Sequence, residues 1–519
     1  MIREPHWRFA SGAKCLIRGD EAPNWFDLER DARATLIKSN PRRRIRRVRY
    51  NDNDLIVKEF DEPAAESLVR RIVRTMPARC EWRAARAAAK RDVACPRMVA
   101  FGRAGAKSVL VMHYLPGAVS LDAAWLRAGD AACGEQQRRN EIIAAVARLL
   151  SHAHQSGFLH GDDHPRNILM GTGPEGRMQA HYIDLQRARC TPSLSEKAVI
   201  GSLAQLHQWF LIRASAAQRA RFFTLYTLDR CNGDPAAARH MRRRLLPALL
   251  DRSYRRAAKL WAKRDRRIGQ NNAYYARLTS DGGRTAMVTR RFRQRDVYPP
   301  PSWPDLSTDA WMKLVFAHPP IVPDNAIELK VFEERGDASH DQYLFTLFSN
   351  GQRLRNRDLP CRWPVAWIRR IEGRQTVTYL WRDRHPETVP IFEYVQQLRP
   401  NRGARRALAV ELARLVRLIA NRGVSVTSVG PQTLSVDSAT GRVIIDQPDN
   451  IAIGRPDVER DRLACARALR AGLFRQFALS RTDAATFLRK LDRRNWRSLW
   501  RRAAEGAPGS RRAERSHPS

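Results

Sequence analysis

The chain has 519 residues, with 93 Lys and Arg against 53 Asp and Glu, a formal net charge of +40 and a pI of about 11.2. That length allows two or more domains with buried cores, and the charge favours an anionic partner such as a phospholipid surface, a phosphorylated glycolipid or nucleic acid, although an Arg-rich proteome would spread arginines in the same way. The eight cysteines are scattered without C-x-x-C or metal-ligand spacing, as reduced thiols of a cytosolic protein would be. Met1 to Trp7 lacks the apolar core of a signal peptide, and no apolar run approaches the ~20 residues that span a bilayer, so any membrane association is expected to be peripheral.

Short strands are predicted at Thr35–Lys38, Ile45–Tyr50 and Leu55–Phe60, the last two joined as a hairpin by Asn51-Asp52-Asn53-Asp54. Lys58 ends an apolar run, as does the lysine that reaches the α- and β-phosphates of ATP in kinases; alone it would read as a solvent-facing charge. Glu81, which opens a helical segment from Glu81 to Lys90, is placed to hold Lys58 in an ion pair. Ser108 to Met112 then forms an apolar strand running into His113-Tyr114-Leu115-Pro116-Gly117. This reads as an interlobe hinge where backbone groups near His113 and Leu115 would meet adenine. An amphipathic helix from Arg138 to Gln155 follows, with Ile142, Ile143, Val146, Leu149, Leu150 and Ala153 near helical period, and delivers the chain to Gly157.

The stretch His160-Gly161-Asp162-Asp163-His164-Pro165-Arg166-Asn167-Ile168-Leu169, followed by Tyr182-Ile183-Asp184-Leu185, spaces three side chains as phosphoryl transfer needs them. An acceptor hydroxyl attacking the γ-phosphate of ATP requires an oriented carboxylate to take its proton, and Asp162 is placed to be that base. Asn167 offers an amide oxygen to Mg²⁺. Asp184 offers a carboxylate oxygen, as the Asp of a D-F-G element does, although Leu185 and Gln186 stand where Phe and Gly would be. The bland alternative is a solvated acidic turn beside a buried strand. A motif of eight positions with its downstream Asp in register weighs against it.

The set Lys58, Glu81, Cys95-Pro96, His113 to Gly117, His160-Gly161-Asp162, Asn167 and Ile183-Asp184 resembles the lipopolysaccharide kinase (Kdo/heptose kinase) family of the protein-kinase-like superfamily, over about the first half of the chain. Arg219 to Tyr226, in a helix-rich tail, also looks like that family's C-terminal lobe. The resemblance implies a two-lobed α+β fold, ATP and Mg²⁺ as cofactors, and phosphorylation of inner-core sugars of lipopolysaccharide at the cytoplasmic face of the inner membrane. On this reading Asp162 is catalytic, Lys58, Glu81, His113, Leu115, Asn167 and Asp184 bind the nucleotide, and Asn167 and Asp184 hold the metal. Two departures stand out. Ser39-Asn40-Pro41-Arg42-Arg43-Arg44 occupies the place of the Gly-rich loop without a glycine, its arginines either neutralising phosphate or forming a solvated turn. His164 replaces the lysine of many protein-kinase loops, which is also similar to aminoglycoside and choline phosphotransferases and favours a sugar or small-molecule hydroxyl over a protein.

The second half repeats the first in outline. Arg357-Asp358-Leu359-Pro360-Cys361 matches Arg91 to Cys95, and 62 residues separate Cys95 from Gly157 as they separate Cys361 from Gly423. That register sets Val426 opposite His160, Ser428 opposite Asp162 and Thr433 opposite Asn167. Ile444-Ile445-Asp446 is expected to match Ile183-Asp184, and Lys330 to match Lys58, while Leu347 falls where Glu81 would be. A serine hydroxyl cannot replace Asp as a proton acceptor without help, so the expected architecture is an active kinase followed in tandem by a pseudokinase. The alternatives are an unrelated α/β domain and a copy with residual nucleotide chemistry through Lys330 and Asp446.

The expected domains are residues 1–270 (catalytic), 271–304 (a Pro-rich linker that includes, on one reading, the first strands of the second copy), 305–502 (pseudokinase) and 503–519 (a basic disordered tail). Competing functions are a protein Ser/Thr or small-molecule kinase and a non-catalytic scaffold at an anionic membrane surface. Nucleic acid is not the expected partner, because charge alone supports it and neither C₂H₂ spacing nor an RNP-like aromatic motif is present.

Overall fold

A computed structural model describes residues 5–17, 22–61, 76–128, 135–173, 176–280, 284–290, 308–317, 320, 327–335, 338–372, 375–383, 387–398, 401–454, 456–476, 480–493 and 495–505. Its contacts divide into two units, Met1–Arg256 and Ala257–Ser519. The expected Pro-rich break at 298–305 and the basic tail after 505 lie outside the described residues.

The first unit opens with a six-stranded antiparallel sheet, in the order β1 (His6–Phe9), β5 (Met98–Ala104), β6 (Lys107–His113), β4 (Asn53–Asp61), β3 (Arg43–Tyr50) and β2 (Ala34–Asn40). Asn51 and Asp52 both take left-handed backbone, with φ of 46° and 54°, which is the geometry a two-residue hairpin needs to match strand twist. Helix α1 (Pro77–Ala89) starts four residues before the predicted Glu81, because Pro77 at the first position has no N–H to leave unsatisfied. Its buried alanines, Ala78, Ala84, Ala85 and Ala88, let the backbone lie close to the sheet.

The strands β7 (Val119–Ser120), β8 (Phe158–Leu159), β9 (Ile168–Thr172), β10 (Met178–Tyr182) and β11 (Arg189–Cys190) form small sheets among α2 (Leu121–Arg127), α3 (Glu135–Gln155), α4 (Glu196–Phe210), α5 (Ala216–Arg230) and α6 (Pro235–Asp265). All six apolar residues predicted along α3 are buried, where the helix packs on α5 and β10. A capping box of Ser215 and Gln218 starts α5.

The second unit has a five-stranded sheet ordered β12 (Tyr275–Ser280), β13 (Arg284–Thr289), β15 (Pro364–Glu372), β16 (Gln375–Asp383) and β14 (Ile327–Arg335). The segment expected to be linker therefore contributes two strands of this sheet. The hairpin joins at β15, the side that β1 occupies in the first unit, so among the described residues β14 has no counterpart of β2 and β3 beside it. Helices α7 (Thr308–Val315) and α8 (Ala338–Asn356) accompany the sheet. An apolar cluster is then built from β17 (Thr388–Pro390), α9 (Ile391–Gln397), α10 (Arg402–Ala420), β18 (Val424–Val426), β19 (Leu434–Asp437), β20 (Val443–Ile445), β21 (Ile451–Ile453), α11 (Val458–Leu469), α12 (Arg481–Leu491) and α13 (Trp496–Glu505).

Backbone hydrogen bonds recur between the units at matching positions. Asp92 and Asp358 take φ of 55° and 56°. Arg91 Nε donates to the Ser156 carbonyl at 3.0 Å, and Arg357 Nε to that of Arg422 at 3.2 Å. The Ile183 N–H bonds the Asn167 carbonyl at 2.9 Å, and the Asp446 N–H bonds that of Thr433 at 3.0 Å. This last pair corrects the sequence register. Asp446 stands opposite Ile183, and Gln447, not Asp446, stands opposite Asp184. The β19–β20 hairpin is shorter than β9–β10, and a gap placed by sequence alone overstated the difference by one residue. Lys330 pairs with Leu380 between β14 and β16, and Lys58 pairs with Leu110 between β4 and β6.

Candidate active site

Lys58 lies on β4, 5% exposed, and its ammonium donates to Glu81 Oε1 on α1, itself 1% exposed. The pair forms because the sheet and α1 both bury these faces, leaving each charge the other as its partner. The Cys95 thiol is pushed up to about 11, first by burial and then by the Glu81 carboxylate.

After β8 the chain turns through Gly161, at φ +77°, where an added Cβ would lie 2.6 Å from the Arg187 carbonyl oxygen; only glycine fits. His160 is the centre of the loop. Its Nδ1 accepts the Asp162 N–H at 3.2 Å, so the ring proton is on Nε2, which donates to the Ile183 carbonyl at 2.8 Å. One imidazole thus ties the Asp162 segment to the strand that carries Asp184. The ring packs 4.6 Å from Tyr182, whose hydroxyl donates to buried Asp163 at 3.0 Å. Burial and the Asp163 charge push the Tyr182 phenol well up, so it stays a donor.

Asp162 Oδ1 accepts from Gln205 Nε2 of α4 at 2.6 Å. The Asn167 amide nitrogen donates to the Asp162 carbonyl at 3.0 Å, which turns its side-chain oxygen the other way. The Ile183–Asn167 backbone bond draws Asp184 alongside. Asp184 sits in left-handed backbone, φ 60° and ψ 54°, which aims its carboxylate off the end of β10. Arg43 Nη1, from the start of β3, lies 3.3 Å from both of its oxygens.

The structure therefore joins Asp162, Asn167 and Asp184 through short bonds and pairs Lys58 with Glu81. At the end of β6, the His113 N–H is donated to the Arg97 carbonyl at 2.9 Å and the Tyr114 N–H to that of Asp54 at 2.8 Å, while Leu115 lies beyond the sheet before Gly117 at φ +66°. Burial and Arg97 hold the His113 imidazole below its ordinary value. Sequence reasoning missed Gln205, for which spacing offers no signal, and did not single out Arg43 among three arginines. In the second unit Leu347 is buried, and Asp446 is bound by Arg362 and Arg382 at 2.9 and 3.0 Å and by the Ser435 hydroxyl at 2.8 Å.

Residues 33–226 match the model of the lipopolysaccharide kinase (Kdo/WaaP) family. The matched segment lies within the first unit and includes Lys58, Glu81, Asp162, Asn167 and Asp184. Members of that family are lipopolysaccharide kinases, which are phosphotransferases, and the mixed α+β architecture described above is consistent with a protein-kinase-like fold. A solved structure described as WaaP in complex with acyl carrier protein is matched at 22% identity and a TM-score of 0.37, over 49% of this chain and 98% of that chain. A search of curated proteins gives no match. Among the described residues no helix is long and apolar enough to cross a membrane.

Proposed function

We propose that the kinase domain transfers the γ-phosphoryl group of ATP, with Mg²⁺, to a sugar hydroxyl of a lipopolysaccharide-type glycolipid. The observation that carries this reading is the His160 bridge, which holds Asp162 and Asp184 to one corner of the lobe. Asp162 is the proton acceptor. Gln205 holds Oδ1, leaving Oδ2 as the oxygen that receives the acceptor's proton.

The oxygen set fits a hard divalent cation. Asn167 presents an amide oxygen and Asp184 a carboxylate that a guanidinium meets, while phosphates and water complete such a shell in kinases. No group of three or more His, Cys, Asp or Glu is gathered among the described residues, in keeping with a metal that arrives with its nucleotide. When bound, the ion neutralises phosphate charge. Lys58, fixed by Glu81, reaches the α- and β-phosphates, and the chain around His113 and Leu115 borders the base.

The net charge of +40 suits an acceptor displayed on an anionic surface, and a membrane glycolipid would place the enzyme peripherally at the inner face of the cell membrane. The second unit reads as a degenerate copy that does no phosphoryl transfer. Its recurring backbone bonds support common descent, and Ser428, Thr433, Gln447 and Leu347 stand where Asp162, Asn167, Asp184 and Glu81 would be needed. Isotope transfer from γ-labelled ATP into fractionated cell extract tests the whole reading. Label should enter a glycolipid fraction with the parent chain and not with Asp162→Asn, which should still bind ATP. Label in protein or soluble metabolites would redirect the acceptor, and undiminished transfer by Asp162→Asn would overturn the base.

A further inference from the structure

A phosphate-covering loop uses glycine so that backbone N–H groups can approach an anion closely. The turn between β2 and β3 cannot work that way. Pro41 has no N–H, and the Arg42 N–H is donated to Asn40 Oδ1 at 3.0 Å. Asn40 and Arg43 are paired with each other across the hairpin. What the turn presents is side-chain charge, and its three arginines direct that charge differently. Arg44 is held by Glu59 and Asp61 at 2.9 and 3.0 Å, and Arg42 is exposed. Arg43 reaches the candidate site, where its guanidinium lies against both oxygens of Asp184.

We propose that Arg43 is the phosphate-binding residue of this glycine-free loop, paired with Asp184 in the free enzyme and turned to the ATP phosphates when nucleotide and metal enter. The inference rests on the reading of Asp184 as a metal ligand. A guanidinium fork suits carboxylate and phosphate oxygens equally, so Arg43 has two alternative anions within its reach. While it holds Asp184 it competes with a divalent cation for the same carboxylate. Once the cation takes Asp184, Arg43 is released toward the phosphates that arrive with it. The contact is therefore both a counter-ion for the empty site and a device that couples metal entry to phosphate capture.

Opposite signs follow for two affinities, which a purely structural role would not produce. In the nucleotide-free full chain, Arg43→Met should bind Mn²⁺ severalfold more tightly by paramagnetic titration. With Mg²⁺ present, the same variant should bind ATP about 10- to 100-fold more weakly, the range expected for losing a charged hydrogen bond. Its binding of adenosine, which has no phosphate, should be unchanged, and Arg42→Met should match the parent in all three measurements. Equal losses for ATP and adenosine, or no change in either ATP or Mn²⁺ affinity, would overturn the proposal. Asp184→Asn separates the two possible failures. Parental Mn²⁺ binding by that variant would overturn the metal-ligand reading and the inference with it, whereas loss of Mn²⁺ binding there with an unaltered Arg43→Met would overturn the inference alone.

Discussion

Replacing Glu81 by Leu places in the kinase domain the residue that the second unit carries at the matching position, Leu347, and leaves the Lys58 ammonium without its anion. Both side chains are almost fully enclosed, so the lost partner is not made good by water, and breaking such a pair costs about 3–5 kcal/mol. Set against a typical domain stability of roughly 5–15 kcal/mol, that is a large fraction. Because the two units need not unfold together, hydrogen exchange of the β4 and α1 amides is the suitable assay. It should speed up by about 10²- to 10⁴-fold where exchange requires unfolding of the domain. The double variant Lys58→Met, Glu81→Leu exchanges an ion pair for an apolar pair of similar bulk and should recover most of the protection, since such replacements are often neutral or stabilising. Phosphoryl transfer should not return with it. A double variant as weakly protected as Glu81→Leu would refute the energetic argument, and one that regained transfer would refute the role of Lys58.

Gln205→Met removes a charge-assisted bond to Asp162 and should lower kcat by about 10- to 100-fold with little change in the KM for ATP; a change confined to KM would contradict its positioning role. Ala at Gly157 would bring Cβ within 1.9 Å of the Thr191 oxygen at φ +73°, and Ala at Gly423 within 2.4 Å of the Gly454 oxygen at φ +69°. Each substitution should destabilise its own unit by about 2–4 kcal/mol, seen as faster exchange in α3 or α10 respectively, and a neutral effect at Gly423 would argue against equivalent turns. Burial holds both His154 and His207 down to about 4, against an ordinary value of 6.5. The unfolded chain takes up these protons first, so the stability they contribute is whole above about pH 6.5 and is lost as the pH falls toward 4. Denaturant titrations of His207→Leu should show a flatter loss over that window than the parent, and an equally steep one would exclude His207 as a source. Asp446→Asn should strip Arg362 and Arg382 of their shared anion and destabilise the second unit by about 3–5 kcal/mol while leaving phosphoryl transfer intact; lost transfer with a folded second unit would contradict its non-catalytic reading.

The candidate site of the first unit was legible in the sequence because its loop is local. His160, Asp162 and Asn167 lie within one loop, so their spacing is enough to group them, and the apolar run that Lys58 ends and the period of Ile142 to Ala153 mark strand and helix without knowledge of the fold. The proposed repeat was suggested in the same way, since Cys95 to Gly157 and Cys361 to Gly423 keep a constant separation. What spacing could not fix was anything that depends on distant segments meeting. Gln205 and Arg43 reach Asp162 and Asp184 only when a helix and a hairpin far away in sequence are packed around the loop. The place of Asp446 depended on where a shortened hairpin lost its residues, which the β19–β20 pairing decides and the sequence does not. The edge joined by the β12–β13 hairpin was likewise a tertiary outcome, because an alternating strand carries its own face pattern but not the identity of the neighbour whose backbone groups will satisfy it.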